Sequence, residues 1–94
     1  MRVELNNRFL LEDITSRYSN PLHAEMIGRV CELERFVPNE FGIFRVKMGD
    51  GFHTIYTSIV ESVDTSTLTV IVHTHNSVYT FSPIDEEEGE DDAA

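Results

Sequence analysis

The chain has 94 residues and a formal net charge of −10, with 17 acidic against seven basic residues, and 40% of it is hydrophobic. This length predicts one domain, and the hydrophobic fraction is too high for a fully disordered chain. Nucleic acid binding requires clustered Lys and Arg, and a membrane helix requires a long apolar run; the sequence has neither. We therefore expect a soluble, cytoplasmic protein that binds neither nucleic acid nor membranes.

The N-terminal segment, residues 3–18, has apolar residues close to helical spacing: Leu5, Phe9, Leu10, Ile14 and Tyr18. This spacing predicts an N-terminal helix, which would plug one end of a barrel. A short hairpin turned at Asn6 and Asn7 is the alternative.

The next segment, Leu22–Phe36, fits either a helix or a strand. Asn20 and Pro21 are suited to the N-cap and first position of a helix. Against this, Gly28 weakens a helix interior, and several apolar residues follow a strand-like spacing: Ile27, Cys31, Leu33 and Val37. We favour a strand from about Ile27 to Phe36, followed by a turn at Pro38–Glu40.

The middle of the chain is dense in β-branched and aromatic residues, which favour strands. Glycines and polar residues divide it at Gly49–Gly51, Asp64–Thr67 and Asn76–Ser77. The predicted strands are Phe41–Met48, Phe52–Val63, Leu68–His75 and Val78–Ile84. With the preceding strand they make five in sequence, which predicts a mainly β fold: a small SH3-like or OB-like, partly open barrel or a curled antiparallel meander.

Alternation along Phe52–Val63 places Ile55, Thr57, Ile59 and Val63 on one face, with Tyr56, Ser58 and Val60 on the other. Both faces carry apolar side chains. Such a sheet either curls into a barrel or is covered on both sides by another element or another subunit. A homo-oligomer is therefore a further expectation.

The end of the chain, residues 85–94, carries seven of the 17 acids and no basic residue. We predict a folded domain over residues 1–84 and a disordered acidic tail over residues 85–94. A tail of this charge is attracted to basic surfaces, which makes a protein with a basic surface the expected partner. The candidate partner-binding residues of the tail are Asp85, Glu86, Glu87 and Glu88.

No pattern in the sequence indicates an enzyme, a metal site or a cofactor. His73 and His75 would share a strand face, yet the chain has no CxxC, HxxxH or HExxH pattern to complete a metal site. It also lacks a nucleophile elbow and a glycine-rich phosphate loop. The single cysteine, Cys31, is expected to be a buried, inert thiol.

Candidate binding residues remain within the folded domain. Arg29, Arg35 and Arg45 are candidates for an anion-binding pocket. Tyr79 is one of the aromatic residues of the predicted sheet that are suited to ligand contact.

The stretch Thr57-Ser58-Ile59-Val60, followed by Thr74-His75-Asn76-Ser77-Val78-Tyr79-Thr80-Phe81, resembles a strand pair of small phage and mobile-element proteins. It is similar to the Thoeris anti-defence family, which sequesters cyclic ADP-ribose signals. The resemblance implies that a polar and an aromatic residue hold a ligand between subunits, here Asn76 and Tyr56.

We therefore expect a non-enzymatic, phage-type inhibitor that acts in the host cytoplasm. It would bind and neutralise a host defence or nucleic-acid-binding protein through that protein's basic surface. The alternative is a sponge that sequesters a small cyclic-nucleotide signal at a subunit interface.

Overall fold

The computed structural model describes residues 8–65 and 68–84, and within them the chain is mainly β. The described part contains six strands and one short helix. Their bounds are β1 Arg8–Ser16, α1 Pro21–Met26, β2 Val30–Arg35, β3 Phe41–Met48, β4 Gly51–Asp64, β5 Val70–Thr74 and β6 Ser77–Pro83.

The strands form a closed antiparallel barrel in chain order, in which β1 pairs with both β2 and β6. The prediction of a small β barrel is confirmed, but the barrel is closed rather than partly open. The predicted N-terminal helix is wrong over Arg8–Ser16. This segment is β1, a strand in addition to the five predicted ones, and its pairing closes the barrel. Residues 3–7 of that prediction, residues 66 and 67 of the predicted turn, and the tail at 85–94 lie outside the described residues.

Four register shifts curve the described part of the barrel, and three of them fall at a glutamate: Glu12, Glu34 and Glu61. Each glutamate is an extra residue in its strand, a β-bulge that bends and twists the sheet. The local sequence is the same in all three: an apolar residue, Glu, a second charged or polar residue, and an apolar residue that packs on the core. These stretches are Leu11–Ile14, Leu33–Phe36 and Val60–Val63.

A bulge of this kind makes successive core residues three positions apart instead of two. Leu11 and Ile14 both face the core in this way on either side of Glu12. A spacing of three is also typical of one face of a helix. The bulge therefore removes the simple alternation of core and surface residues by which a strand is recognised in this segment.

A further bulge lies between β3 and β4, where Thr57 and Ser58 together stand opposite Gly42. It changes the predicted faces of β4. Val60 is fully buried in the core and does not share a face with the exposed Tyr56, contrary to the prediction. Ile59 lies opposite Phe41 and lines a surface concavity with it.

The ambiguous segment contains both predicted elements in succession. Asn20 caps α1 by accepting a hydrogen bond from the backbone N–H of Leu22 at 3.0 Å, and Pro21 takes the first helical position. Gly28, with a φ of 90°, then turns the chain into β2. The predicted strand is confirmed over Val30–Arg35, while its first residues belong to the end of the helix and the turn.

The interior of the barrel is filled by side chains. Phe44 contacts Phe81 and Tyr79, with ring centroids 5.3 and 5.7 Å apart, and Met26 of α1 is buried with them. The remaining members of the buried cluster are Leu11, Cys31, Val46, Val60 and Val72. Side chains therefore occupy the interior in the described part of the barrel, as in other small barrels. No helix in the described part of the chain is long and apolar enough to cross a membrane.

Candidate functional site

Two large aromatic side chains lie exposed on the outer face of the barrel. Phe41 at the start of β3 is 52% exposed, and Tyr56 in β4 is 63% exposed. Their rings meet edge to face, with centroids 5.8 Å apart and an interplanar angle of 80°. We call this pair the aromatic ridge. It is notable because apolar side chains of this size are usually covered by protein or by a partner.

A concavity of about 330 Å³ lies beside Phe41 and is called here the apolar groove. Its apolar lining residues are Phe41, Ile43 and Ile59, and Asn39 also lines it. At its rim, the guanidinium of Arg35 donates two hydrogen bonds to Glu40, at 3.0 and 3.2 Å. The groove is therefore an apolar surface with a charge pair at its edge.

A second concavity, of about 220 Å³, lies beside Tyr56 and is called here the polar pocket. It is formed where the end of β1, the start of α1, β4 and the β5–β6 turn come together. Its wall combines serine hydroxyls with tyrosine, asparagine and histidine side chains. The side chains other than serine are Tyr18, Asn20, His23, Tyr56, Asn76 and Tyr79.

Hydrogen bonds fix the backbone around this pocket. The carbonyl of Asn76 accepts from the backbone N–H of Arg17 at 2.8 Å, and its own N–H donates to Ser58 Oγ at 3.1 Å. Ser16 Oγ and Ser77 Oγ share a hydrogen bond of 2.9 Å. By contrast, the side-chain amide of Asn76 makes no hydrogen bond to any residue that the structure describes, and it is exposed.

Tyr79 forms the inner side of the pocket and is 5% exposed. Burial raises the pKa of its phenol, and a hydrogen bond with the side chain of Ser77 partly offsets this. Because the ordinary pKa of tyrosine is already near 10, Tyr79 remains a neutral hydroxyl at physiological pH.

The structure brings together three of the predicted site residues, Tyr56, Asn76 and Tyr79, in the polar pocket. It does not bring Arg29 or Arg45 to them. Arg29 is exposed after α1, and its Nε donates to the carbonyl of Glu25 at 2.6 Å. The tail candidates Asp85, Glu86, Glu87 and Glu88 lie outside the described residues.

Arg45 is occupied by carboxylates instead of facing a pocket. It stands directly opposite Glu32 in the β2–β3 ladder, and its Nη2 lies 2.5 Å from Glu32 Oε1. Its Nε is 3.0 Å from Glu34 Oε2, an ion-pair contact without hydrogen-bond alignment. The two glutamates thus neutralise the guanidinium, because cross-strand neighbours on one face meet directly.

The described residues contain no group of three or more His, Cys, Asp or Glu side chains that could hold a metal ion. Cys31 is fully buried, and desolvation raises the pKa of its thiol from 9.0 to about 12. The thiol therefore remains protonated at neutral pH and is a poor nucleophile.

The sequence does not predict Phe41, Tyr18, Asn20 and His23 as site residues. The exposure of Phe41 could have been predicted from the alternation of side chains along β3. Arg45 and Lys47 lie an even number of residues from Phe41 and therefore share its face, and their charges require that this face is in contact with solvent. No comparable local signal marks the other three, which reach the pocket only through closure of the barrel.

The sequence matches no protein-family model, and we found no curated protein and no solved structure with significant similarity to the chain.

Proposed function

We propose that this protein is a non-enzymatic inhibitor that binds a partner protein through the aromatic ridge and the apolar groove. The observation that carries the proposal is the exposed edge-to-face pair of Phe41 and Tyr56, which borders both concavities. Aromatic side chains that become buried at the centre of a protein interface, tyrosine among them, often contribute much of the binding energy.

The topology supports docking on the barrel face. Each described strand has two paired neighbours, and a closed barrel leaves little free edge for a partner strand. The lining of the groove offers an apolar contact, and Arg35 and Glu40 at its rim offer hydrogen bonds that add orientation.

Charge indicates which kind of partner fits. The chain carries a net charge of −10, and seven of its acids lie between Asp85 and Asp92. A basic protein surface is attracted to such a chain over several ångströms, which speeds association before the ridge makes contact. In line with the phage-like strand pair, we place the partner among host defence or nucleic-acid-binding proteins, in the host cytoplasm.

The test begins with the full chain immobilised in bacterial lysate and a captured protein identified by mass spectrometry. The purified partner is then titrated with the wild-type chain and with Phe41→Ala and Tyr56→Ala. We expect each substitution to weaken binding by roughly 30-fold or more, as for central interface aromatics. Raising the salt concentration should weaken the wild-type complex further.

Leu68→Ala is the matched control, since Leu68 is an exposed apolar side chain, 83% exposed, that lines neither concavity. It should leave the affinity unchanged. Binding that is insensitive to both ridge substitutions would remove the proposed surface. Binding that is insensitive to salt and to deletion of Asp85–Ala94 would remove the electrostatic part alone.

The polar pocket favours a second candidate function, sequestration of a small cyclic-nucleotide signal at a subunit interface. Its support is that Tyr56 and Asn76 line one pocket with Tyr79. Native mass spectrometry after incubation with cyclic nucleotides should then show a ligand-bound oligomer. A ligand-free monomer under the same conditions would contradict this candidate.

A further inference from the structure

One stretch of β4 has a neighbouring strand on only one side. The two neighbours of β4 lie along different halves of the strand, because β3 pairs with residues 51–59 and β5 pairs with it only from Val60 onward. We propose that two copies of this chain pair through the free edge of residues 51–56, as antiparallel strands about a two-fold axis at Thr54. This dimer requires neither the partner protein nor a small ligand.

The free edge stands clear of the rest of the barrel. His53 and Thr54 are both exposed, although consecutive residues of a strand point to opposite faces. Within the described residues, α1 makes no more than marginal contact with β4. Beyond Tyr56 a concavity, the polar pocket, separates the strand from the connection between β1 and α1. A second strand can therefore approach this edge.

The hairpin that joins β3 and β4 determines which backbone groups face outward. Its loop is two residues long and closes on the pair Met48 and Gly51. In such a hairpin the closing pair is hydrogen-bonded, and hydrogen-bonded and non-hydrogen-bonded pairs alternate from there along the ladder. The residues that bond to β3 are therefore His53 and Ile55. The residues between and beside them turn their N–H and C=O groups away from β3: Phe52, Thr54 and Tyr56.

These outward groups fit a second copy of the same strand. Antiparallel pairing about Thr54 places this residue opposite its own copy, and it places Phe52 opposite Tyr56 of the other copy. Every outward N–H then meets an outward C=O of the second copy. The rings of Phe52 and Tyr56 become cross-strand neighbours on one face, which stabilises an antiparallel pair. The same patch on both subunits is what a two-fold dimer requires.

The edge of β4 lacks the features that prevent strands from pairing. Natural edge strands carry charges, prolines or bulges that block a further neighbour. Residues 51–57 contain no Asp, Glu, Lys, Arg or Pro, and they are rich in aromatic and β-branched types. β1 shows the contrast, since beyond Leu11 its ladder partners among the described residues all lie in β6. This half of β1 has a bulge at Glu12 and the exposed carboxylates of Glu12 and Asp13.

Charge and order favour a second copy over another occupant. A partner rich in Lys and Arg finds no carboxylate along residues 51–57, and an extended peptide would lose conformational entropy on ordering. The second copy presents a strand that is already ordered, and pairing brings no like charges together along the strand.

The two chains still repel each other at longer range through their net charge of −10 each. Added salt screens this repulsion, so the dimer should tighten as salt is added. The complex with a basic partner should weaken under the same change, and the opposite signs distinguish the two assemblies.

The test is sedimentation velocity of the full chain from micromolar to millimolar concentration, without ligand or partner. We expect a monomer–dimer equilibrium that shifts towards the dimer as salt is added. Amide hydrogen exchange followed by NMR then locates the interface. The amides of Phe52, Thr54 and Tyr56 should exchange fast in the monomer and slow down as the dimer forms. The amides of His53 and Ile55 should be protected in both states, because they bond to β3.

Substitutions at Thr54 separate the backbone from the side chain. Thr54→Pro removes an outward N–H from each copy without removing a bond to β3, so the barrel should stay folded. The dimer should weaken roughly 30-fold, the effect of two lost hydrogen bonds. Thr54→Val keeps the N–H and is the matched control, which should dimerise like the wild type.

A pair of charge variants tests the two-fold axis without proline. Thr54→Lys and Thr54→Glu each place like charges opposite one another, so each chain alone should dimerise roughly two- to fivefold more weakly. The two variants mixed should form a heterodimer more tightly than either dimerises alone. Phe41→Ala, in β3 and away from the free edge, should leave the dimer unchanged and weaken only the partner complex.

Three results would overturn the inference: a monomer at every concentration, a dimer that Thr54→Pro leaves as tight as the wild type, or slowed exchange that does not include residues 52–56. Protection of residues 52–56 by a partner protein, in a chain that otherwise stays monomeric, would assign the edge to that protein instead. Partner binding that is insensitive to the ridge substitutions leaves the dimer standing, so the two proposals fail independently.

Discussion

Two pairs of aromatic residues in this barrel have nearly the same geometry and opposite surroundings. Phe44 and Tyr79 meet inside, with ring centroids 5.7 Å apart at 65°. Phe41 and Tyr56 meet outside, 5.8 Å apart at 80°. Phe44 is fully buried, while more than half of Phe41 is exposed only three residues earlier on the same strand.

The comparison shows that residue type does not determine what these aromatics do; the face of the strand does. The inner pair removes apolar surface from water on folding and therefore stabilises the barrel. The outer pair leaves much of its surface in water in the free chain, and that surface becomes available for burial against a partner. The inner region should control stability and the outer region should control binding.

The variants Phe44→Ala and Phe41→Ala test most directly whether the inner pair controls stability and the outer pair does not. Phe44→Ala should lower the free energy of unfolding by about 3–5 kcal/mol, through lost burial and the cavity left among Phe81 and Tyr79. Phe41→Ala should change it by about 0.5 kcal/mol or less, as for most surface substitutions. Urea denaturation followed by circular dichroism measures both. Similar losses for the two variants would show that the ridge is part of the core.

Much of the fold could be predicted from the sequence where the signals are local. Phe41–Met48 was predicted with the bounds that the structure has, because the glycines at 49 and 51 mark the turn that follows. Closure could not be predicted, since it depends on pairing between β1 and β6, where Leu11 stands opposite Phe81. Such long-range pairing leaves no mark in the sequence near either strand.

The candidate site, like the fold, could be predicted from the sequence only in part. Tyr56 and Asn76 came from the resemblance, and the structure confirms only that they share one pocket; their role in binding stays a prediction. Tyr18 and His23 come from the connection after β1, which the backbone hydrogen bond from Arg17 to Asn76 holds beside the β5–β6 turn. A helix over Arg8–Ser16, which the sequence predicts, does not place this connection beside the β5–β6 turn; the observed strand does.

Gly42 lies in β3 at the position where the pairing with β4 shifts by one residue. Its N–H donates to Thr57 Oγ1 at 2.8 Å, and a Cβ here would lie 2.5 Å from the ring of Phe36 and 2.9 Å from that oxygen. Gly42→Ala should therefore lower the free energy of unfolding by about 1–3 kcal/mol through overpacking. It should also disturb the bulge that turns Tyr56 outward and Val60 inward.

Gly51→Ala is the control for this substitution. A Cβ at Gly51 meets no atom within 4 Å, so the change should be about 0.5 kcal/mol or less by the same denaturation measurement. Equal stability of the two variants would mean that the close approach at Gly42 is relieved at no cost, and the bulge would then not depend on glycine.

The titration of Cys31 reports whether water reaches the interior of the barrel. Its thiol has a raised pKa of about 12 in the folded chain, against 9.0 for an exposed cysteine. As pH rises from 9 towards 12, the unfolded chain loses this proton and the folded chain keeps it, so folding stability should fall across that range. The fall should be smaller in Cys31→Ala, measured by denaturation at each pH. Identical pH profiles for the two chains would show that water reaches the thiol.

The smallest expected effect is the coupling energy within each aromatic pair. Because the two pairs have similar geometry and different exposure, the difference between their coupling energies measures the effect of the surroundings. Double-mutant cycles to leucine at Phe44 and Tyr79, and at Phe41 and Tyr56, measure each coupling by denaturation. We expect about 1–1.5 kcal/mol for the inner pair and about 0.5 kcal/mol for the outer pair, within the range known for edge-to-face contacts. The difference arises because water competes for the exposed rings while the buried rings have only each other and the core.

In a complex with the partner protein the outer coupling should rise towards the inner value, since docking would remove the same water. An outer coupling that does not change on binding would show that the partner leaves the ridge in solvent.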